Sequence, residues 1–130
     1  MKKFLFTLVT CFALSLNFAY ASTTIEKAYI AKQSNVQVEG SGKVAKVLAD
    51  DTKGIHHQKF ILKLSTNATV LVAHNIDLSK KIYDLKTGDT VEFSGEYEWN
   101  NKGGILHWTH HDPSKKHQDG WLKHNGIIYK

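Results

Sequence analysis

The 130-residue sequence has one cysteine and no arginine, and both scarcities limit what the chain can be. Its 17 basic residues are all lysines, against 12 acidic residues, which gives a formal net charge of +5. A lysine excess is compatible with a polyanionic partner, but the lack of guanidinium groups disfavours base-specific reading of nucleic acid. The single Cys11 cannot form an intramolecular disulfide, so the fold must be stable without one.

The first residues have the pattern of an export signal. Met1–Lys3 is basic, residues 4–18 are mostly apolar, and Ala19-Tyr20-Ala21 is a small-residue cleavage site. This predicts a signal peptide over 1–21, cleaved before Ser22, and therefore a periplasmic or secreted protein. The apolar stretch is too short to span a membrane, so we expect no transmembrane segment. Cleavage also removes Cys11, which excludes thiolate chemistry in the mature protein.

The rest of the chain predicts one small, mainly β domain. Residues 22–35 show little pattern and are expected to form a loosely ordered N-terminal segment before a single domain at 36–130. Alternation of apolar and polar residues predicts strands at 36–48 and 56–65, and a segment that is apolar on both faces predicts a central strand at 69–73. Further strands are expected at 90–99 and 105–111. Asp77 is typical of a helix N-cap, and Leu78, Ile82 and Leu85 follow at helical spacing, which predicts a short helix before the fourth strand.

Three strands, a short helix and two more strands is the order of an OB-fold, a five-stranded Greek-key barrel with its helix between strands three and four. Residues 127–129 are expected to add a short terminal strand. The alternative is an open antiparallel sheet with one helix. Glycines at 40 and 42 predict a bend in the first strand, which favours the barrel.

The last predicted hairpin has a definite register. A loop at 100–103 pairs Tyr97 with Leu106 and Gly95 with Trp108 on the inner face, where the glycine leaves room for the indole. On the outer face the same register pairs Glu96 with His107, Ser94 with Thr109, and Glu92 with His111. A carboxylate beside an imidazole fixes its tautomer and raises its basicity, which serves a general base and a metal ligand equally.

The run Leu106-His107-Trp108-Thr109-His110-His111-Asp112-Pro113 concentrates histidines and so predicts a polar functional surface. As catalytic candidates we select the acid–base groups His107, His74, Glu96 and Asp112. As binding candidates we select His57, Lys59, Lys63, Asn75, Trp108, His110, His111 and Trp121. A divalent metal such as zinc would draw on His107, His111 and His117, although their spacing matches no established zinc motif. Trp121 also has a structural interpretation, as a ring that closes the core.

Several segments resemble domain of unknown function 3465, a group of small exported bacterial proteins. The matching segments are 57–62 (His-Gln-Lys-Phe-Ile-Leu), 73–78 (Ala-His-Asn-Ile-Asp-Leu), 95–100 (Gly-Glu-Tyr-Glu-Trp-Asn) and 107–113, with His117, Gly120-Trp121-Leu122 and His124. The resemblance runs from about 42 to 129 and implies a single exported domain without implying an activity. This chain has His56 and Lys59 where similar proteins tend to place arginine.

Three functions fit these observations. The first is an exported binding domain for an anionic polymer, such as nucleic acid or an oligosaccharide, because OB-folds bind such chains across strands two and three. The alternative is a nuclease-like hydrolase, with or without a metal ion, that uses the histidine and carboxylate cluster. The second alternative is a periplasmic metal-binding protein. The sequence leaves open whether there is turnover and which oligomeric state the protein adopts.

Overall fold

The computed structural model describes residues 23–130; the predicted signal peptide, its cleavage site before Ser22, and Cys11 lie outside the described residues. The described residues form one helix and seven strands: α1 (Ile25–Ile30), β1 (Val36–Val47), β2 (His57–Lys63), β3 (Thr69–Asn75), β4 (Thr90–Glu98), β5 (Ile105–His107), β6 (Trp121–His124) and β7 (Ile127–Tyr129). Within this part of the chain, no helix is long and apolar enough to cross a membrane.

Five of the strands close into a barrel. Strand β1 pairs with β2, β2 with β3, β3 in parallel with β5, and β5 with β4, and β4 returns to β1. This arrangement confirms the predicted OB-fold-like five-stranded Greek-key barrel. Its interior is filled by apolar side chains from all five strands, among them Val38, Phe60, Leu62, Val72, Phe93 and Leu106.

The long first strand, β1, pairs with β4 through its first part and with β2 through its second part, and the predicted bend lies between the two. Residues Val36–Lys43 pair with β4, and Lys43–Val47 pair with β2, with an irregularity in the register between Val44 and Lys46. At Gly42 a Cβ atom would lie 3.0 Å from the carbonyl oxygen of Lys63. The glycine therefore allows β1 and β2 to approach closely where the strand changes partners.

The helix predicted between the third and fourth strands is wrong; turns connect β3 to β4, and the helix of the described residues, α1, precedes β1. The reason lies in a distant contact. The buried Gln58 side chain donates to the carbonyl of Ile82 (2.8 Å) and accepts from its N–H (2.9 Å), as a neighbouring strand would. Ile82 therefore reaches the core in an extended segment, because its backbone groups are bonded to Gln58 instead of to a helix.

Asp77, predicted as the N-cap of that helix, has a different partner. Its carboxylate accepts from the backbone N–H of His56 (2.9 Å) and lies 2.8 Å from that residue's ring Nδ1. The backbone hydrogen bond is the main reason that the pKa of Asp77 lies below its usual range. Asn75 makes the local turn, since its Oδ1 accepts from the N–H groups of Asp77 and Leu78.

Helix α1 lies in the N-terminal segment where the sequence shows little pattern. The Thr24 hydroxyl caps its first turn by accepting from the N–H of Lys27 at 3.3 Å. Ile25 and Ala28 are buried against the barrel. These are the two buried residues of the six-residue helix, which is too few to produce a recognisable periodic pattern in the sequence.

The predicted register of the last hairpin is right at its start and wrong beyond it. Glu96 pairs with His107 and Tyr97 with Leu106, as predicted. The pairing of Gly95 with Trp108 does not form, because β5 ends at His107 and Trp108 takes a left-handed φ of 53°.

Strand β6 occupies the edge of β4 that the prediction had given to the rest of β5. Ser94 pairs with Trp121 instead of Thr109, and Glu92 pairs with Lys123 instead of His111. The Lys123 ammonium lies 3.7 Å from the Glu92 carboxylate. Because one edge of a strand holds one partner at each position, residues after His107 must leave the sheet.

Candidate binding site

A groove of about 310 Å³ opens on the outer surface of the barrel, at the ends of β2, β3 and β5. Its polar and aromatic lining consists of His57, Asn75, His107, Trp108 and His110. Ile55, Ala73 and Leu78 supply the apolar part. The structure thus brings together four of the predicted binding residues with the predicted catalytic residue His107.

Pairing of β2 with β3 positions the first part of this lining. His57 lies directly opposite Asn75 in the antiparallel register, and Lys59 lies opposite Ala73. Side chains at alternate positions share one surface of a sheet, so these residues all face away from the core. Buried Gln58 and Phe60 occupy the intervening positions of β2 and face inward.

Trp108 is half-buried in the wall of the groove and does not enter the core, which corrects the inward orientation predicted for it. Its ring stacks on the His117 ring, with centroids 3.9 Å apart and planes at 10°. The His110 ring lies 5.2 Å away at 31°. The left-handed backbone at Trp108 turns the indole out of the strand, so a residue read as core becomes part of the surface.

The carboxylate of Glu96 lies between two imidazoles. Its Oε1 is 3.2 Å from Nε2 of His117, and its Oε2 is 3.4 Å from Nε2 of His107. The Nε2 atom of His107 is buried, and the Glu98 carboxylate lies 3.9 Å from it. The Glu96–His107 pair predicted from the register is therefore present, and His117, predicted only as a metal ligand, completes the group.

The His117 ring is fixed on three sides. Its Nδ1 is 2.8 Å from the carbonyl oxygen of Gln118, which can only accept, so Nδ1 carries a proton. Its Nε2 faces the Glu96 carboxylate, and one face of the ring covers Trp108.

Asp112, predicted as a catalytic carboxylate, holds the loop before β6 in place. One carboxylate oxygen accepts from the N–H and hydroxyl of Ser114, and the other accepts from the N–H groups of Lys116 (2.9 Å) and His117 (2.7 Å). These hydrogen bonds, led by that from His117, hold the pKa of Asp112 well below its usual range. The side chain is a conformational anchor that positions His117 for Glu96 and Trp108.

His74, another predicted catalytic residue, is fully buried. Its Nε2 donates to the Lys80 carbonyl at 3.1 Å, so Nδ1, 2.7 Å from the Thr109 hydroxyl, accepts from that group. Burial lowers the pKa of His74 to about 4. The ring is a neutral link between β3, the segment after it and the loop that follows β5.

The remaining predicted residues divide between the rim of the groove and other places. Lys59 and Lys63 share the outer surface of β2 with His57 and continue it away from the groove. His111 lies edge-on to His110, and its carbonyl oxygen accepts from the His110 ring at 2.7 Å. Trp121, on β6 beside Ser94, does not join the groove.

The predicted site residues do not include the apolar residues that line the groove. Ile55 is 56% exposed in a polar turn, and Leu78 is 37% exposed in the connection after β3. An exposed isoleucine inside an otherwise polar turn is the signal that could have identified the first of them.

Metal binding receives no support from the geometry of the part of the chain that is described. Among residues 23–130, no group of three or more histidine, cysteine, aspartate or glutamate side chains is placed to hold a metal ion. His107 and His117 both direct Nε2 at Glu96, whereas His111 packs against His110.

Comparison with known proteins identifies one family. The model of a family described as a protein of unknown function (DUF3465) matches residues 6–130. Neither the curated proteins nor the solved structures compared with this chain include a match.

The buried His74 should make the free energy of unfolding depend on pH. Its pKa is about 4 when folded and near 6.5 when unfolded, so the unfolded chain binds more protons between these values. The contribution of neutral His74 to the free energy of unfolding is therefore complete above about pH 6.5 and is lost as the pH falls toward about 4. The loss in the free energy of unfolding amounts to roughly 3 kcal/mol. We expect His74→Gln to be less stable at neutral pH and to lose less stability on acidification, as measured by urea unfolding.

His111→Gln is the matched control, because it removes a half-buried histidine from the same region. It should keep the pH dependence of the original protein. If His74→Gln instead retained that full dependence, the neutral, buried state of His74 would be refuted.

Proposed function

The chain belongs to the DUF3465 family, and we propose that its barrel is a binding module for an anionic polymer, in the first place single-stranded nucleic acid. The observation that carries the proposal is the groove, which places His57, Asn75, Trp108 and His110 together on the outer surface of β2 and β3. Strands two and three are the surface on which OB-folds bind oligonucleotides and oligosaccharides.

Two lysines give this surface its charge. Lys59 and Lys63 are four residues apart on β2, a separation of roughly 13 Å along the strand, and both side chains leave the same side of the sheet. They form a line of positive charge that begins at His57 and runs away from the groove. A polyanion on this line contacts lysine ammonium groups as point charges, without base specificity.

The groove supplies a place for one ring of the polymer. Its apolar residues and the part of the Trp108 ring left open by His117 offer contact area, and the half-buried imidazole of His57 lies beside it. His110 is only 4% exposed and supports the Trp108 ring from behind the lining. Single-strand binding proteins combine such ring contacts with a basic track. An acidic oligosaccharide meets the same requirements for charge and ring contact, so it is the alternative ligand in the experiments below.

A hydrolase is the second candidate, and the pair formed by Glu96 and His107 favours it. His107 lines the groove while its Nε2 lies 3.4 Å from a carboxylate oxygen. A carboxylate that orients an imidazole is the arrangement by which enzymes prepare a general base. A ligand in the groove would therefore meet an imidazole backed by a carboxylate. With export as predicted, either activity takes place in the periplasm or outside the cell.

Removing the two lysines should weaken binding and lower its salt dependence. We expect Lys59→Gln with Lys63→Gln to raise the Kd for a fluorescent single-stranded DNA, measured by anisotropy over a range of salt concentrations. If both lysines contact phosphates, the slope of log K against log salt should decrease in magnitude by about 1.4. Lys86→Gln with Lys130→Gln makes the same charge change at exposed positions outside this surface and should have a smaller effect on both quantities.

Two results would contradict the nucleic-acid proposal. One is equal weakening by the two lysine pairs, which would indicate general charge attraction. The other is binding of an acidic oligosaccharide with no binding of DNA or RNA, which would assign this surface to saccharides.

Replacing the indole of Trp108 should raise the Kd for single-stranded DNA while the protein stays folded. We expect Trp108→Leu to raise the Kd about tenfold, since base–aromatic contacts contribute roughly 1–3 kcal/mol. The control is Trp99→Leu, which removes another half-buried tryptophan outside the groove. It should leave the Kd unchanged, with thermal unfolding measured for both variants. Equal Kd values for Trp108→Leu and the original protein would exclude the groove as the ring site.

Turnover is tested on the same complexes by electrophoresis. If the second candidate is right, labelled strands become shorter with the original protein, and His107→Ala abolishes shortening while retaining the retarded complex. His111→Ala should still cleave, because its side chain does not contact Glu96. If the labelled nucleic acid stays intact with the original protein, with and without divalent cations, the hydrolase candidate is excluded and only the binding function remains.

A further inference from the structure

A second hollow lies on the other side of Glu96 and has a different chemistry from the groove. Its volume is about 540 Å³, within the range of small-molecule sites. It lies between the segment that follows α1, the start of β1 and the loop before β6. Four carboxamides, one carboxylate and one imidazole line it: Gln33, Asn35, Gln37, Gln118, Glu96 and His117. We call this hollow the amide pocket.

We propose that the amide pocket binds a neutral polyhydroxylated ligand, a saccharide unit, independently of the polymer proposed for the groove. A carboxamide offers an acceptor and two donors side by side, which matches the hydroxyl groups of a sugar ring. The Glu96 carboxylate adds acceptors for further hydroxyls. No lysine lines the pocket, and the carboxylate repels anions, so the lining selects against phosphate and acidic sugars.

Part of this lining is held in place before any ligand arrives. Gln37 lies opposite Glu96 in the β1–β4 register. Its amide oxygen accepts from the Ser94 hydroxyl at 2.9 Å, and its amide nitrogen donates to the carbonyl oxygen of Gly95 at 3.3 Å. Contacts with His107 and His117 restrain Glu96, whose side chain is only 16% exposed. A preorganised lining loses less conformational entropy when it binds.

The other three amides lie outside the sheet, and two of them, Gln33 and Gln118, come from separate connecting segments. Gln33 is exposed just after α1, and Gln118 is half-buried beside His117. Gln33 belongs to the segment before β1, and Gln118 belongs to the loop before β6. A saccharide unit in the pocket therefore meets a restrained carboxylate and amide from the sheet and further amides from two connecting segments.

The test is a titration of the purified protein with neutral sugars, followed by NMR of the side-chain amide groups. Glucose, galactose and N-acetylglucosamine are the probes, each raised to about 50 mM, so that a Kd in the millimolar range is reached. We expect saturable shifts with at least one sugar. Gln33→Ala with Gln118→Ala should raise its Kd tenfold or more, because both amides contact the ligand.

Asn101→Ala is the matched control, as it removes an exposed carboxamide from the β4–β5 loop outside the pocket; it should leave the sugar Kd unchanged. The double variant should also bind single-stranded DNA as the original protein does, so that this proposal and the one for the groove can fail separately. Shifts with no sugar, shifts unaffected by the double variant, or stronger binding of inorganic phosphate at these amides would each overturn the proposal.

Discussion

The arrangement of this site depends on how the two edges of β4 are divided. One edge pairs with β1 from Val36 to Lys43 and closes the barrel. The other edge is shared, with β5 beside its last residues and β6 beside its first. The boundary falls at Gly95, where a Cβ would lie 2.6 Å from the carbonyl oxygen of His107. Two strands can meet there only because that residue has no side chain.

This boundary explains why the histidine-rich run leaves the sheet after His107. Since β6 occupies the edge beside Ser94, the chain after His107 must leave the sheet, and Trp108 makes the turn with its left-handed backbone. The loop then folds back over the end of the barrel, with its conformation held by Asp112, until His117 covers Trp108. The groove is thus a consequence of strand pairing as much as of the residues that line it.

Strand alternation and cross-strand pairing were readable from the sequence because they depend on neighbours a few residues away. The barrel, its bent first strand and the contact of Glu96 with His107 follow from such patterns. The predicted helix failed because Gln58, some 24 residues before Ile82, satisfies the backbone that a helix would have used. No local pattern records such a partner.

In the candidate site too, the local sequence shows which residue types are present, whereas distant partners decide what each residue does. Composition alone could not separate Asp112, which anchors a loop, from Glu96, which faces two imidazoles, because both are carboxylates in histidine-rich surroundings. The sequence places the polar ring of His74 at the end of an apolar strand, where it needs a hydrogen-bond partner. Its partners, Thr109 and the Lys80 carbonyl, hold it inside the protein instead of presenting it to a ligand.

Glu96 also limits how a polyanion can lie on this protein. It stands at the wall between the groove and the amide pocket, and Glu98 lies on the same side of β4. Two carboxylates there repel phosphates, whereas Lys59 and Lys63 attract them along β2. A polymer with one ring in the groove must therefore extend along β2, away from Glu96. In the arrangement that we propose, the charge of Glu96 keeps this polyanion out of the amide pocket, which takes a neutral ligand instead.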